Sequence, residues 1–301
     1  MSLILGNAFK KIALANDNKT RFAILKNWEN VEKLVYDYLP EPVDELQKLN
    51  VRYNPQNSNE KAPVIIDVHG GGWYYGDKDL NSDFNSWFVT KGYTVISVGY
   101  RLIDLNTTFK EQLQDVFAAL TWVVENADKH NLDMDNVFIM GDSAGAHLAG
   151  LVLNCMRNPE MANDFGVTVP DIKFNAVNFT CGAFTPSLMA KVPILRSFCK
   201  PILGKEFKKS PLYKYFDITA NLPNEYPPIH MVTCDGDFLK KMVFKAKEVF
   251  DEKGFYTELL YIDKKRAGKN LKHVFNLIDL EDEMSLVANN AIDKFFKKHI
   301  S

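Results

Sequence analysis

No run of about 18 apolar residues occurs anywhere in these 301 residues, so no segment reads as a membrane-spanning helix. The opening stretch, MSLILGNAFKKIALAND, holds only a short apolar segment with no basic region ahead of it. That argues against a secretory leader and for a soluble, cytoplasmic chain. Cysteine is scarce: Cys155, Cys181, Cys199 and Cys234 lie far apart, with no Cys-x-x-Cys pair and no His/Cys cluster at metal-ligand spacing. Reduced core or surface thiols are therefore expected, and no metal site. Charge of one sign is lacking too: 36 Lys and Arg against 38 Asp and Glu leave a net charge of −2. Such a balance gives no electrostatic footprint for nucleic acid or an anionic membrane, and a small neutral molecule is the expected partner. Repeats and low-complexity tracts are also missing.

What the chain does have is apolar content, 46% of it, enough for one large core and a modest insertion without a second full domain. From about residue 45 onward, short apolar or β-branched runs alternate with segments of helical period, the pattern of an α/β fold with a mostly parallel sheet flanked by helices. Strands are expected at 47–53, 64–68, 94–98, 137–140, 174–179, 229–233 and 256–262. Several are apolar at nearly every position, as strands buried on both faces require. Helical spacing is clear through Leu113, Val116, Phe117, Leu120 and Val124, through Leu239, Met242, Val243, Ala246 and Phe250, and through Met284, Val287, Ala288, Ala291, Ile292 and Phe295. Two regions break the rhythm: about residues 1–44, and 185–226 with Pro186, Pro193, Pro201, Pro211 and Pro223 among Leu188, Met189, Leu195, Phe198, Leu203, Phe207, Tyr213, Tyr215 and Phe216. Neither reads as sheet. A loop of the second length is improbable unless functional or locally helical, so both are expected to form a small, mainly helical cap on a single 1–301 domain. The bland alternative is that 185–226 merely extends the core.

The run Val137-Phe138-Ile139-Met140 leads into Gly141-Asp142-Ser143-Ala144-Gly145 and then an apolar helical stretch. A GxSxG motif at a strand-to-helix junction forms a nucleophile elbow, because glycines on both sides let strand and helix approach around a strained serine. The helix N-terminus then turns free N–H groups and positive potential toward the site, which suits an oxyanion. A second element, His69-Gly70-Gly71-Gly72-Trp73, closes a buried strand. Acyl transfer passes through a tetrahedral oxyanion, and glycine exposes its N–H without side-chain obstruction. The oxyanion hole is assigned to the N–H groups of Gly71, Gly72 and Ala144. His69 is expected to brace that loop, and His147 to be a helix residue near the site.

Chain order in this fold runs serine, acid, histidine. Of the histidines after Ser143, His230 lies inside a strand and His299 at the end of the last helix, leaving His273, in a polar loop, as the base. The strand 229–233 ends in Cys234-Asp235-Gly236-Asp237-Phe238-Leu239, offering two carboxylates where ligands of such sheets gather. Asp237, directly before a helix and an apolar pair, is favoured as the acid over Asp235, which suits a turn before Gly236. Trp73, Tyr74 and Tyr75 suggest a small apolar pocket, unless they are only the core of the cap.

Taken in order, His69-Gly70-Gly71-Gly72-Trp73, Tyr100-Arg101-Leu102, Asp115 with Ala118, Ala119 and Trp122, the GDSAG motif, Asp237-Phe238-Leu239 and His273-Val274-Phe275 make the sequence resemble the hormone-sensitive-lipase-like esterases, α/β-hydrolases with an HGGG loop. The resemblance spans roughly residues 60–300. It implies a cap over the site, hydrolysis of short-chain acyl esters by a Ser-His-Asp triad without a cofactor, and Asp237 as the acid. The chain departs from the family pattern at Ile103-Asp104-Leu105, Ala146 and Val274. The same triad serves amide or peptide hydrolysis, and a non-catalytic binding protein on this scaffold would be expected to have lost part of it. A homo-oligomer is compatible with everything read so far.

Overall fold

The computed structural model describes residues 2–24, 26–57, 59–189, 196, 200–203 and 209–301. Pro193, Leu195, Phe198, Cys199 and Phe207 of the expected insertion lie outside the described residues.

Among the described residues eight strands form one sheet: β1 (Glu32–Asp37), β2 (Lys48–Tyr53), β3 (Ala62–Val68), β4 (Thr94–Val98), β5 (Leu132–Asp142), β6 (Ala176–Thr180), β7 (Ile229–Cys234) and β8 (Thr257–Ile262). Their order is β1-β2-β4-β3-β5-β6-β7-β8. β2 pairs antiparallel with β1 and β4, and every later pairing is parallel. Because successive side chains on a strand face opposite ways, the sheet divides its apolar residues between two cores. Ile66, Ile96, Ile139 and Phe179 pack with α3 (Phe109–Glu125), α4 (Ala144–Met156) and the helix Lys240–Glu252. Ile65, Val95, Phe138 and Val232 pack with α2 (Ser82–Val89) and the C-terminal helix Glu283–Lys298. This is the α/β-hydrolase arrangement expected from the motifs.

The first 40 residues contain a strand, against expectation. β1 lies in full antiparallel register with β2, Glu32 opposite Tyr53 and Asp37 opposite Lys48. It is an edge strand exposed along nearly its whole length, so it carries Glu32, Lys33 and Asp37 and lacks the apolar alternation that reveals a buried strand. Ahead of it run α1 (Ser2–Asp17) and a single helical turn, Arg21–Ile24. In the 185–226 insertion the turns Pro211–Tyr215 and Ile218–Ala220 pack on α4 and on α5 (Pro159–Phe165). Asn154 Nδ2 donates to Ile218 O at 2.8 Å, and Tyr215 OH donates to Asp164 at 2.9 Å. No helix among the described residues is long and apolar enough to cross a membrane.

Two motif residues act on the fold. Arg101 holds Asp115 of α3 through Nε and Nη2, each at 2.8 Å, and Gln47 donates to the same carboxylate at 2.7 Å. A bidentate pair of this kind fixes angle as well as distance, and it locks the loop after β4 onto α3.

Candidate active site

Strand β5 ends and α4 begins on either side of Ser143, whose backbone takes φ 52° and ψ −114°, left-handed and costly for a side chain. The conformation persists because both backbone groups are bound: Ser143 N–H donates to Thr180 O at 2.9 Å, and its carbonyl accepts from Ala183 N at 3.0 Å. Closeness of strand and helix explains the flanking glycines. A Cβ on Gly145 would lie 1.9 Å from Val68 O, and one on Gly141 would lie 2.6 Å from Gly145 C.

Beside the elbow, the loop after β3 carries three consecutive left-handed residues, Gly71, Gly72 and Trp73, at φ 99°, 59° and 68°. The turn closes with Tyr75 N–H donating to Gly71 O at 3.0 Å. Gly70 N–H is spent on Asp142 Oδ1 at 2.9 Å, whereas the N–H groups of Gly71, Gly72 and Ala144 meet no acceptor among the described residues. They are the three groups read from the sequence as oxyanion donors. His69 braces this loop as expected: its Nδ1 faces Gly70 O at 2.8 Å, and its ring stacks on Tyr100 at 4.2 Å. Burial lowers its pKa, so the ring stays neutral with its proton on Nδ1. Tyr100 OH donates to His69 O at 2.6 Å.

The structure brings Ser143, His273 and Asp237 together. His273 Nε2 lies 2.9 Å from Ser143 Oγ, and its Nδ1 lies 2.6 Å from Asp237 Oδ1. Asp237 also accepts from Thr233 Oγ1 at 2.7 Å and from Leu239 N–H at 2.9 Å. Burial works to raise the Asp237 pKa, but the bonds from His273, Thr233 and Leu239 outweigh it and the carboxylate stays ionised below its ordinary value. Asp235 points elsewhere, to Lys240 Nζ and Lys264 N–H, both at 2.7 Å, and to Tyr261 OH. Lys240 first, then Tyr261 and Lys264, hold its pKa well below the usual carboxylate range. Donor atoms of Cys181, Asp237 and His273 lie within 4.8 Å of one another. Two of them are committed to the hydrogen-bonded chain, and burial pushes the Cys181 thiol well above its ordinary pKa, so this trio makes a poor metal seat. Cys155, Cys181 and Cys234 are free and buried.

A cavity of about 610 Å³ opens onto Ser143 and His273, and α1 forms one wall of it through Leu5, Ala8, Phe9, Ile12 and Ala13. Trp73 and Tyr75 line the cavity as the sequence suggested, while Tyr74 packs on Gly6 of α1 instead. His147 is fully buried, joined to Trp73 Nε1 at 3.3 Å and to Phe216 O at 2.8 Å. His230 is tied to Asn178 Oδ1 at 2.8 Å, away from the serine. Sequence reasoning missed Thr233, hidden inside a buried strand, and Phe238, 72% exposed with its ring 4.3 Å from that of His273. It also missed the lining face of α1, although Leu5, Ala8, Phe9, Ile12 and Ala13 follow helical spacing.

Comparison with known proteins finds hydrolases and esterases. The family model described as BD-FAE matches residues 51–241. The chain is 35% identical over 104 residues to a putative alpha/beta hydrolase of Acanthamoeba polyphaga mimivirus, covering 34% of this chain and 30% of that protein. It is 26% identical over 247 residues to arylacetamide deacetylase of Bos taurus, covering 74% and 61%. The aligned stretch thus spans less than two thirds of these curated relatives. Esterase B from Lactobacillus rhamnosis is similar at 28% identity with a TM-score of 0.90, covering 99% of this chain and 94% of that one. The same esterase has been seen inhibited by a tributyrin phosphonate, at a TM-score of 0.91.

Proposed function

The chain belongs to the BD-FAE family, and from that membership we propose that it is a serine carboxylesterase acting on short-chain acyl esters. One observation carries the reading: Ser143, His273 and Asp237 form an unbroken hydrogen-bonded chain at the mouth of an apolar cavity. In the proposed reaction His273 Nε2 takes the Ser143 proton as Oγ attacks the ester carbonyl, and the oxyanion settles among the N–H groups of Gly71, Gly72 and Ala144. Each such donor lowers the barrier by about 3 kcal/mol. His273 then returns the proton to the leaving alcohol. Water, deprotonated by the same imidazole, frees the acid and restores Ser143. Asp237 holds His273 in the tautomer with the proton on Nδ1. In this reading the helical part of 1–44 ahead of β1, together with 185–226, is a cap, an idea supported for the first of these by the α1 wall of the cavity. The short-chain preference is supported by the tributyrin phosphonate on the Lactobacillus esterase.

The test is hydrolysis of 4-nitrophenyl butanoate by the wild type and Ser143→Ala, with labelling by a fluorophosphonate. The wild type should turn over and take the label. The variant should do neither while staying folded, and turnover retained by the purified variant removes Ser143 from the mechanism. A second reading, amide hydrolysis by the same groups, draws on the name of the bovine relative. Comparing 4-nitroacetanilide with 4-nitrophenyl acetate decides between them.

A further inference from the structure

Arg21 follows α1 in the chain and lines the same cavity as Ser143, yet its side chain is turned into the protein, only 6% exposed. Its Nη1 donates to Leu80 O at 3.0 Å and to Asn81 Oδ1 at 2.8 Å. An asparagine amide has one accepting and one donating end, so a guanidinium on the oxygen decides which end faces the other way. Asn81 Nδ2 is thereby directed at Asp142 Oδ1, 3.0 Å away, and at Asp67 Oδ2, 3.2 Å away. Asp142 Oδ1 also receives Gly70 N–H at 2.9 Å. Contact there is close: a Cβ on Gly70 would stand 2.3 Å from Asp142 Oδ2. Wherever the carboxylate of Asp142 sits, the start of the glycine loop must follow.

We propose that Arg21 is a positioning residue for the oxyanion loop, acting through Asn81 and Asp142 on Gly70 and so on the N–H groups of Gly71 and Gly72. The inference rests on the reading of those two N–H groups as oxyanion donors. It makes the segment that walls the cavity also the segment that sets the loop. Without the guanidinium the Asn81 amide is free to turn its oxygen toward Asp142, where two acceptors repel and the carboxylate loses a donor. Donors displaced by a fraction of an ångström still let substrate bind but stabilise the transition state less.

Two measurements test this, one of them independent of turnover. In steady-state hydrolysis of 4-nitrophenyl butanoate, Arg21→Met should lower kcat by about tenfold while KM stays within about twofold. Arg21→Lys, which keeps a cationic donor on a single nitrogen, should fall between it and the wild type. The double variant with Asn81→Ala should be no slower than Asn81→Ala alone, because the two residues act in one line. A rise in KM at unchanged kcat would mean that Arg21 only holds the cavity wall, and would overturn the proposal. In hydrogen exchange, amides of 69–75 should exchange about tenfold faster in Arg21→Met and at the wild-type rate in Lys10→Met, an exposed position on α1. Unchanged exchange at 69–75 overturns the proposal even if no ester is hydrolysed, whereas a wild type that hydrolyses no ester counts against the esterase reading alone.

Discussion

The indole N–H of Trp73, in the glycine loop, donates to Nδ1 of His147 across 3.3 Å, while Nε2 of the same imidazole faces Phe216 O at 2.8 Å. An indole can only donate, so Nδ1 must accept and the proton must sit on Nε2. His147 is thus built to be neutral, and burial pushes its pKa down to about 4. Burial does the same to His230, also to about 4. Between about pH 4 and 6.5 the unfolded chain binds these protons and the folded chain does not, so the stability they contribute is lost as pH falls through that window. Asp67 runs the other way, raised to about 7 by burial, so its contribution declines as pH rises from about 4 to 7. Two histidines outweigh one carboxyl by about 2 kcal/mol. The urea midpoint should fall between pH 6.5 and 4.5, and fall less in His230→Asn. A midpoint that rises on acidification contradicts the assignment.

The two carboxylates after β7 should separate cleanly. Asp237→Asn leaves His273 without an acceptor for its Nδ1 proton, and kcat for 4-nitrophenyl butanoate should drop by about 10³-fold or more. Asp235→Asn breaks the contacts with Lys240, Tyr261 and Lys264 at the surface, and kcat should stay within about threefold. Equal losses would mean that the acid has been misassigned.

Gly71 has φ 99°, and a Cβ there would lie 1.9 Å from Tyr75 O. Gly71→Ala must move the loop, and kcat should fall by about 10²-fold or more. Gly92 has a similar φ of 97° but open space around it. Gly92→Ala should cost about 1 kcal/mol of stability, from the backbone alone, and leave kcat unchanged. Thermal unfolding and turnover of the two variants check the contrast.

Acyl length should be limited by α1. Butanoyl esters should exceed hexadecanoyl esters in kcat/KM by about tenfold or more, and Ala8→Trp, on the cavity wall, should shift the optimum toward acetyl. A series of 4-nitrophenyl esters from acetyl to hexadecanoyl reads this directly, and a hexadecanoyl optimum would refute the short-chain reading.

How much of this was legible depended on whether a residue's role leaves a periodic or spaced mark. Buried strands such as β4, with Val95, Ile96 and Val98 among its five residues, were found to the residue, whereas β1, exposed and charged, left no such mark. Ser143 and the glycine loop stood out through their glycines, and Gly71, Gly141 and Gly145 have no room for a Cβ where strand, loop and helix crowd together. Asp237 could be preferred over Asp235 by its place before a helix, yet the hydroxyl of Thr233 that completes its environment lay unmarked within a strand. Arg21 and Asn81 meet across 60 positions of chain, and no local pattern announces such a pair. The direction of His147 was equally hidden, since a histidine within GDSAGAHLAG faces core or cavity according to packing alone.

Ser143 occupies a backbone conformation that glycine adopts freely and serine does not. The position on which the proposed chemistry depends is therefore one where the native residue is not the most stable choice. A chain carrying Ser143→Gly would be inert and yet should resist unfolding better than the wild type by about 1 kcal/mol. At this position selection for durability and selection for turnover pull in opposite directions, and the serine records which of them prevailed.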